Sequence, residues 1–266
     1  MNWQAIAVFD IDGVIRDVSG SYRRALADTV EHFTQGAYRP TPADIDRLKG
    51  EGLWNNDWEA SHELILRHFE VQGQVRSQVS IGFDEIVDFF QRRYRGQNLD
   101  DPSQWTGYIA QEPILVTADY FDQLAAAAIG WGFFSGATRG SARYVLEHRI
   151  GLQNPPLVAM EDAPGKPDPS GLFALLTQLA APTVPPVIYV GDTVADMHTI
   201  QRARQHQPEG RWWAVGVLPP HVAASDEGYV ADYRDRLLAA GAAIVLTAVT
   251  DLTPEHILAL TQTDAG

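Results

Sequence analysis

Short apolar runs recur along the chain, and most of them end in a polar turn. Apolar runs of this kind, bounded by turn signals, are typical of buried strands. Six strands are predicted, at Ala5–Phe9, Ile129–Phe134, Leu157–Met160, Val187–Val190, Trp212–Val217 and Ala243–Leu246. From the second strand onward, helical patterns separate the strands, at Ser141–Ile150, Ser170–Ala180, Ala195–His206 and Ala231–Ala240. Strands that alternate with helices indicate an α/β fold with a doubly wound parallel sheet.

The long interval between the first two strands has a different pattern. It shows helical periodicity and no comparable strand run, with helices predicted at Tyr22–Thr34, Pro42–Lys49, Trp58–Val71, Phe83–Arg95 and Asp119–Ile129. A crossover between parallel strands needs only about a dozen residues. We therefore expect an inserted all-helical domain at 18–128, within an α/β core formed by residues 1–17 and 129–266.

Composition excludes several classes of site and partner. The 266 residues include no cysteine, which excludes disulfides, zinc-thiolate sites and cysteine nucleophiles. A formal net charge of -14 argues against binding to nucleic acid or to anionic membranes. The chain has no apolar run long enough to span a membrane, and Met1-Asn2-Trp3-Gln4 contains no basic residue, so no signal peptide is expected. A cytoplasmic location is expected, and the sequence does not indicate an oligomeric state.

Two carboxylates follow the first strand, in the run Asp10-Ile11-Asp12-Gly13-Val14. Residues two apart at the end of a strand point to the same side, so Asp10 and Asp12 are expected to lie close together. Like charges at short range need a cation or a shared proton. The alternative is a solvated turn, because Asp-Gly is a frequent turn pair.

Polar residues also follow the next three predicted strands. They are Ser135-Gly136, Lys166, Asp192 and Asp196. Each has a simpler explanation by itself: a turn, a surface lysine, a helix N-cap and a first-turn helix carboxylate. Ligands of open α/β sheets bind at the carboxyl ends of the strands, so we expect these residues to meet Asp10 at one site.

Together, these motifs resemble those of the haloacid dehalogenase (HAD) superfamily. The similarity extends over four motifs, namely Asp10-Ile11-Asp12-Gly13-Val14, Ser135-Gly136, Lys166-Pro167-Asp168-Pro169 and Gly191-Asp192-Thr193-Val194-Ala195-Asp196. The resemblance implies a HAD-like Rossmannoid core of subfamily I. It also implies that the helical insert is the C1 cap of that superfamily.

The resemblance further implies a role for each motif residue. Asp10 would be the nucleophile that forms an aspartyl-phosphate, and Asp12 the general acid and base. The Ser135 hydroxyl and the Gly136 N–H would bind phosphoryl oxygens, and Lys166 would neutralise charge on nucleophile and phosphate. The implied cofactor is Mg²⁺, with ligands from Asp10, the backbone carbonyl of Asp12, Asp192 and, directly or through water, Asp196.

Asp12 reduces the number of reactions that the resemblance allows. Within the superfamily, an aspartate two residues after the nucleophile accompanies phosphate-ester chemistry, and dehalogenases and phosphonate-cleaving relatives lack it. The expected activity is hydrolysis of a small phosphorylated metabolite by a HAD-type phosphatase. A phosphomutase acting on a sugar phosphate would use the same residues. A non-catalytic binding protein is a third hypothesis, and the retained Asp10 argues against it.

A polar turn in the insert is the candidate for substrate recognition. It contains Asn55, Asn56 and Asp57 between two tryptophans, and these side chains could bind hydroxyl groups or a ring. The alternative is an ordinary helix-capping loop in which an asparagine or aspartate is the cap.

Overall fold

Two compact units divide the chain. The computed structural model describes residues 3–51, 53–54, 56–179 and 185–262. Met1–Asp17 and Pro113–Gly266 form the first unit, which we call the core unit. Val18–Glu112 forms the second unit, which we call the helical insert.

Within the described ranges, one six-stranded parallel sheet organises the core unit. Its strands are β1 Ala5–Phe9, β2 Ile129–Phe134, β3 Leu157–Val158, β4 Val187–Gly191, β5 Trp212–Val217 and β6 Ile244–Leu246. The spatial order is β3-β2-β1-β4-β5-β6. The chain moves outward from β1 in one direction and then restarts at β4 on the other side. The carboxyl ends of β1 and β4 therefore flank the switch point, where α/β proteins bind ligands.

The predicted doubly wound parallel sheet is confirmed, with differences in the bounds of three strands. All residues of β1, β4 and β5 are buried, as expected of parallel strands covered on both faces. β3 ends at Val158 because the next residues turn: Ala159 N–H donates to Asp162 Oδ2 at 2.9 Å, and Met160 N–H donates to Ala137 O at 3.0 Å. β4 ends one residue later than predicted, at Gly191, and β6 begins one residue later than predicted.

The described residues of the helical insert form four helices. They are α1 Tyr22–Phe33, α2 Pro42–Lys49, α3 Asp57–Val71 and α4 Phe83–Tyr94. Short 3-10 turns at Arg76–Gln78, Pro102–Gln104 and Tyr108–Gln111 complete it. Tyr22 and Tyr94 stack with ring centroids 4.1 Å apart, which joins α1 to α4.

The insert ends at Glu112, whereas the sequence predicted an end at residue 128. The chain re-enters the core unit at Pro113, whose carbonyl accepts a hydrogen bond from Asp17 N–H at 2.9 Å. The next helix, α5 Ala118–Ala126, packs on β2 and so belongs to the core unit. The helical periodicity predicts a helix here at Asp119–Ile129, three residues longer at its end than the observed helix. Periodicity does not show which apolar surface covers a helix.

The remaining core helices cover the sheet. They are α6 Arg139–Arg143 with a π-helical continuation Tyr144–Arg149, α7 Ser170–Gln178, α8 Val194–His206, α9 Pro220–Ala223, α10 Glu227–Ala239 and α11 Pro254–Leu260. A 3-10 turn lies at Val249–Asp251. In the described ranges, every helix is too short or too polar to cross a lipid bilayer.

Candidate active site

Asp10 lies at the carboxyl end of the central strand β1. Its N–H donates to Val190 O at 2.8 Å, which continues the pairing of β1 with β4. Its side chain is buried, and Oδ1 accepts a hydrogen bond from Ile11 N–H at 2.7 Å. Oδ2 lies 2.7 Å from Lys166 Nζ. The strand pairing and two polar contacts therefore fix this carboxylate.

Lys166 connects the third motif with the first and the fourth. Its Nζ lies 2.7 Å from Asp10 Oδ2 and 2.5 Å from Asp196 Oδ1, and its side chain is only 10% exposed. A buried ammonium is costly unless it is paired. The two carboxylates provide that pairing, so the structure places Lys166 in the interior and not at the surface.

The fourth motif is at once a helix cap and part of this cluster. Thr193 is the N-cap of α8, and its N–H and hydroxyl donate to Asp196 Oδ2 at 2.9 and 2.6 Å. The Tyr189 hydroxyl lies 3.3 Å from Asp196 Oδ1, on the side of Lys166. Both oxygens of Asp196 therefore have protein partners, which suits a supporting role or contact with a cation through water.

Three carboxylates lie close enough to share a cation. One oxygen each of Asp10, Asp192 and Asp196 lies within 4.8 Å of the others. Gly13 approaches closely here: its φ is +77°, and a Cβ at this position would lie 2.2 Å from Asp192 Oδ2. Carboxylate oxygens are the ligands that Mg²⁺ takes, so the donor set fits this ion. The Asp12 side chain is paired with Arg16 and is not in this group.

The electrostatics of the site favour an added positive charge. Burial raises the pKa of Asp10 to about 6, and attraction by Lys166 limits the rise. Burial also raises the pKa of Asp192 well above its usual range, with repulsion from Asp196 and Asp10 adding to it. Burial lowers the pKa of Lys166, but Asp10 and Asp196 outweigh that effect and raise it well above its usual range. One lysine thus leaves the carboxylate cluster undercompensated.

Ser135 and Gly136 follow β2, next to the end of β1. Ser135 is buried and its Oγ accepts a hydrogen bond from Ala137 N–H at 3.2 Å. Within the described ranges, no acceptor is found for the Ser135 hydroxyl proton or for the Gly136 N–H. Gly136 is exposed, with no atom within 4 Å of the position that a Cβ would take. Both groups remain available as donors to a phosphate oxygen.

The predicted specificity residues make local contacts within the helical insert. Asn56 is the N-cap of α3, and its Oδ1 accepts hydrogen bonds from Trp58 N–H at 2.9 Å and Glu59 N–H at 3.4 Å. Asp57 pairs with Lys49 at 2.7 Å. Asn55 lies outside the described residues. The capping interpretation therefore accounts for Asn56, and a role in substrate recognition stays a prediction.

Two further residues were missed from the sequence. Arg16 is fully buried, and its Nε donates to Asp12 Oδ1 at 2.7 Å. Tyr189 is buried in β4, and its hydroxyl donates to Phe134 O at 2.9 Å, beside Ser135. The available signals were weak: a single arginine four residues after Asp12, and a single hydroxyl within an apolar strand.

Comparisons with known proteins identify relatives of this chain. A family model described as haloacid dehalogenase-like hydrolase matches residues 5–204. A phosphonoacetaldehyde hydrolase from Bacteroides fragilis is 34% identical over 247 residues, covering 82% of this chain and 88% of that protein. An imidazoleglycerol-phosphate dehydratase from Phytophthora nicotianae is 29% identical over 244 residues, covering 90% of this chain and 49% of that protein. This chain therefore spans about half the length of that relative.

Similarity to solved structures supports the fold. The crystal structure of a phosphonoacetaldehyde hydrolase-like protein from Oleispira antarctica aligns with a TM-score of 0.68 at 20% identity. The alignment covers 98% of this chain and 94% of that chain. The family model and the shared fold lead to one conclusion: the chain belongs to the haloacid dehalogenase-like hydrolase family.

Proposed function

We propose that the chain is a Mg²⁺-dependent phosphatase that hydrolyses a small phosphorylated metabolite through an aspartyl-phosphate on Asp10. The observation that carries the proposal is the contact of Lys166 Nζ with both Asp10 and Asp196, beside Asp192. A phosphate ester brings negative charge to a nucleophile that is itself negative. Phosphoryl transfer therefore depends on positioning and on cationic groups that offset this repulsion.

The proposed reaction has two steps at Asp10. A carboxylate oxygen of Asp10 attacks phosphorus while the ester P–O bond breaks, and Asp12 gives a proton to the departing oxygen. Asp12 then takes a proton from a water that attacks the aspartyl-phosphate, which releases phosphate and restores Asp10. Lys166 balances charge on nucleophile and phosphate throughout, and the donors of Ser135 and Gly136 bind the phosphoryl oxygens.

The carboxylates of Asp10 and Asp192 and the carbonyl of Asp12 would hold the Mg²⁺, with Asp196 in support. When bound, the ion supplies positive charge to the phosphoryl oxygens. A cytoplasmic location and the lack of nucleic-acid and membrane partners remain predictions from composition.

Hydrolysis of p-nitrophenyl phosphate with and without MgCl₂ tests the proposal. We expect turnover only with Mg²⁺, and a loss of about 10³-fold or more in Asp10→Asn, because the nucleophile is removed. Asp122→Asn makes the same chemical change at an exposed site on α5 and should keep the wild-type rate. Full turnover by Asp10→Asn would exclude the proposed nucleophile. A panel of phosphorylated metabolites with no product would favour a mutase or a binding protein.

Cleavage of a phosphonate is a second candidate, because the Bacteroides fragilis relative at 34% identity is a phosphonoacetaldehyde hydrolase. Cleaving a carbon–phosphorus bond next to an aldehyde is easier when a lysine amine forms an imine with that aldehyde. Lys49 and Lys166 are the two lysines of the chain. Lys166 is 10% exposed and paired with two carboxylates, whereas Lys49 is 30% exposed and paired with Asp57. Lys49 is therefore the candidate amine, because it has more exposed surface and one carboxylate partner to give up.

The two candidates predict opposite results for Lys49→Arg. A phosphatase keeps its activity on phosphate esters in this variant, and a phosphonate-cleaving enzyme loses acetaldehyde release from phosphonoacetaldehyde. The resemblance to the superfamily favours the phosphatase, because the phosphonate-cleaving members of the superfamily lack an aspartate at the position of Asp12. Assay of both substrates with the wild type and with Lys49→Arg therefore distinguishes the two reactions.

We also propose that the turn with Asn55, Asn56 and Asp57 contributes to choice of the leaving group. Asn56→Ser preserves a helix N-cap, whereas Asn56→Ala removes it. If Asn56 recognises substrate, both variants change the ranking of a metabolite panel. If Asn56 is only a cap, Asn56→Ser keeps the wild-type ranking and KM.

A further inference from the structure

We propose that Arg16 is a positioning residue that holds Asp12 for proton transfer. The inference rests on the proposed phosphatase function, because it assigns the orientation of the general acid and base. It adds a residue that lies outside the four motifs. It also predicts which oxygen of Asp12 donates and accepts the proton.

Arg16 contacts a single oxygen of Asp12 through two nitrogens. Its Nε donates to Asp12 Oδ1 at 2.7 Å, and its Nη2 lies 2.6 Å from the same oxygen. The Arg16 side chain has no exposed surface, while that of Asp12 is 31% exposed. Arginine is almost never fully buried without a partner, because removing its charge from water is costly. The two contacts with Asp12 Oδ1 give this buried guanidinium a carboxylate partner.

Backbone hydrogen bonds fix the position of Arg16 relative to Asp12. Arg16 N–H donates to Ile11 O at 3.1 Å, and Gly13 N–H donates to Arg16 O at 2.9 Å. Arg16 also forms an antiparallel bridge with Ile114. These bonds close the loop from Ile11 to Arg16, so the side chain of Arg16 starts from a fixed position beside Asp12.

The consequence is an asymmetric carboxylate. Oδ1 of Asp12 is held by Arg16, and within the described ranges no residue donates to Oδ2. Proton transfer requires the acid to lie within hydrogen-bond reach of the reacting oxygen. Oδ2 is thus the atom that gives its proton to the departing alkoxide as the P–O bond breaks. The same atom takes a proton back from the attacking water.

A purely structural role for Arg16 predicts a different outcome. If Arg16 only stabilises the fold, its loss lowers the amount of active protein and affects all substrates equally. If Arg16 positions Asp12, its loss affects substrates according to how much their leaving groups need a proton. β-Glycerol phosphate leaves as an alkoxide that needs a proton, whereas acetyl phosphate leaves as acetate, which does not.

The experiment compares kcat/KM for β-glycerol phosphate and acetyl phosphate in the wild type, Arg16→Met and Arg16→Lys. We expect Arg16→Met to lower the value for β-glycerol phosphate by about 10- to 100-fold, within the range for general acid catalysis. The value for acetyl phosphate should change by less than about threefold. Arg16→Lys should recover part of the loss. Asp12→Asn should show the same selectivity, and the double variant Arg16→Met/Asp12→Asn should be no slower than Asp12→Asn.

Arg204→Met is the matched control, because Arg204 is a partly buried arginine whose Nη2 donates to Trp212 O at 2.7 Å, in a different part of the core unit. It should affect both substrates equally. Equal losses for the two substrates in Arg16→Met, or no loss, would overturn the role of Arg16. If Arg16→Met does not fold, kcat/KM for the two substrates is compared in Arg16→Lys. A loss confined to β-glycerol phosphate supports the role of Arg16, and equal losses or no loss overturn it. No turnover of either substrate by the wild type would overturn the proposed function, and this role with it.

Discussion

Gly13 occupies the tightest position of the candidate active site. It has a φ of +77°, and a Cβ would lie 2.2 Å from Asp192 Oδ2. Gly13→Ala therefore combines backbone strain of about 1–2 kcal/mol with displacement of a predicted metal ligand. We expect a lower free energy of unfolding and a loss of Mg²⁺ affinity of about tenfold or more, since the carboxylate cluster is disturbed. Isothermal titration with MgCl₂ measures the affinity.

Gly151→Ala is the control that introduces backbone strain without a steric contact of the new Cβ. Gly151 also has a positive φ, +90°, but nothing lies within 4 Å of its Cβ position. This variant should lose a similar amount of stability and keep the wild-type Mg²⁺ affinity. Equal Mg²⁺ affinity in Gly13→Ala and Gly151→Ala would contradict the proposed importance of the Gly13–Asp192 approach.

At the scale of elements, the N-terminus of α8 connects helix capping with the site. Thr193 caps the helix and also holds Asp196 Oδ2 through its hydroxyl at 2.6 Å. Thr193→Ala should lower the free energy of unfolding by about 1 kcal/mol and should also lower kcat, because Asp196 supports Lys166. Denaturant unfolding and the phosphate-release rate measure the two effects.

Thr253 offers a matched cap elsewhere in the core unit. It is the N-cap of α11 and accepts a hydrogen bond from His256 N–H. Thr253→Ala should lose a similar amount of stability without a change in kcat. If both variants lose kcat to the same extent, the effect of Thr193 comes from stability alone.

Helix α3 of the insert depends on a buried carboxylate. Glu63 is buried and contacts Arg67 at 2.6 Å and Arg76 at 2.8 Å. Burial by itself raises the pKa of Glu63, but hydrogen bonds from Arg76 and Arg67 outweigh it, so the pKa lies below its usual range. A lowered pKa means stability that is present above the unfolded-state pKa and lost as the pH falls through the folded-state value.

We therefore expect amide hydrogen exchange in α3 to accelerate as the pH falls from about 5 to about 3, after correction for intrinsic rates. Glu63→Gln should show a weaker pH dependence. Glu59→Gln, an exposed change on the same helix, should behave as the wild type does. An unchanged pH dependence in Glu63→Gln would show that other groups control the acid sensitivity of this helix.

At the scale of the whole molecule, the carboxylate cluster is expected to couple folding to cation binding. Burial and the charges of Asp196 and Asp10 raise the pKa of Asp192, so its ionised form destabilises the folded state at neutral pH. Without Mg²⁺, Asp192→Asn should therefore be more stable than the wild type. Mg²⁺ at 100 times its dissociation constant should stabilise the wild type by about 2.7 kcal/mol.

Thermal unfolding in EDTA and in MgCl₂ at matched ionic strength tests this coupling. The wild type should gain stability with Mg²⁺, and Asp192→Asn should gain much less because a ligand is lost. Asp122→Asn should respond as the wild type does. A wild type that is equally stable in both buffers would argue against a cation site at these carboxylates.

The sequence by itself determined the strands, most of the helices and the family. Apolar runs and helical periodicity are local signals, so they located β1, β2 and β5 at their observed bounds. The sequence also predicted that the polar residues after the strands meet at one site, because the carboxyl ends of parallel strands share one edge of the sheet. The contact of Lys166 with Asp10, which lies 156 residues earlier in the chain, agrees with that expectation.

Only the tertiary structure decided which surfaces and side chains meet. α5 packs on β2, although its sequence pattern resembles that of the insert helices before it. Arg16 and Tyr189 contact Asp12 and Phe134 because of a closed loop and of sheet order, neither of which periodicity encodes. Local patterns report the preferences of short segments, whereas burial, pairing of charges and close approach depend on residues that the fold brings together.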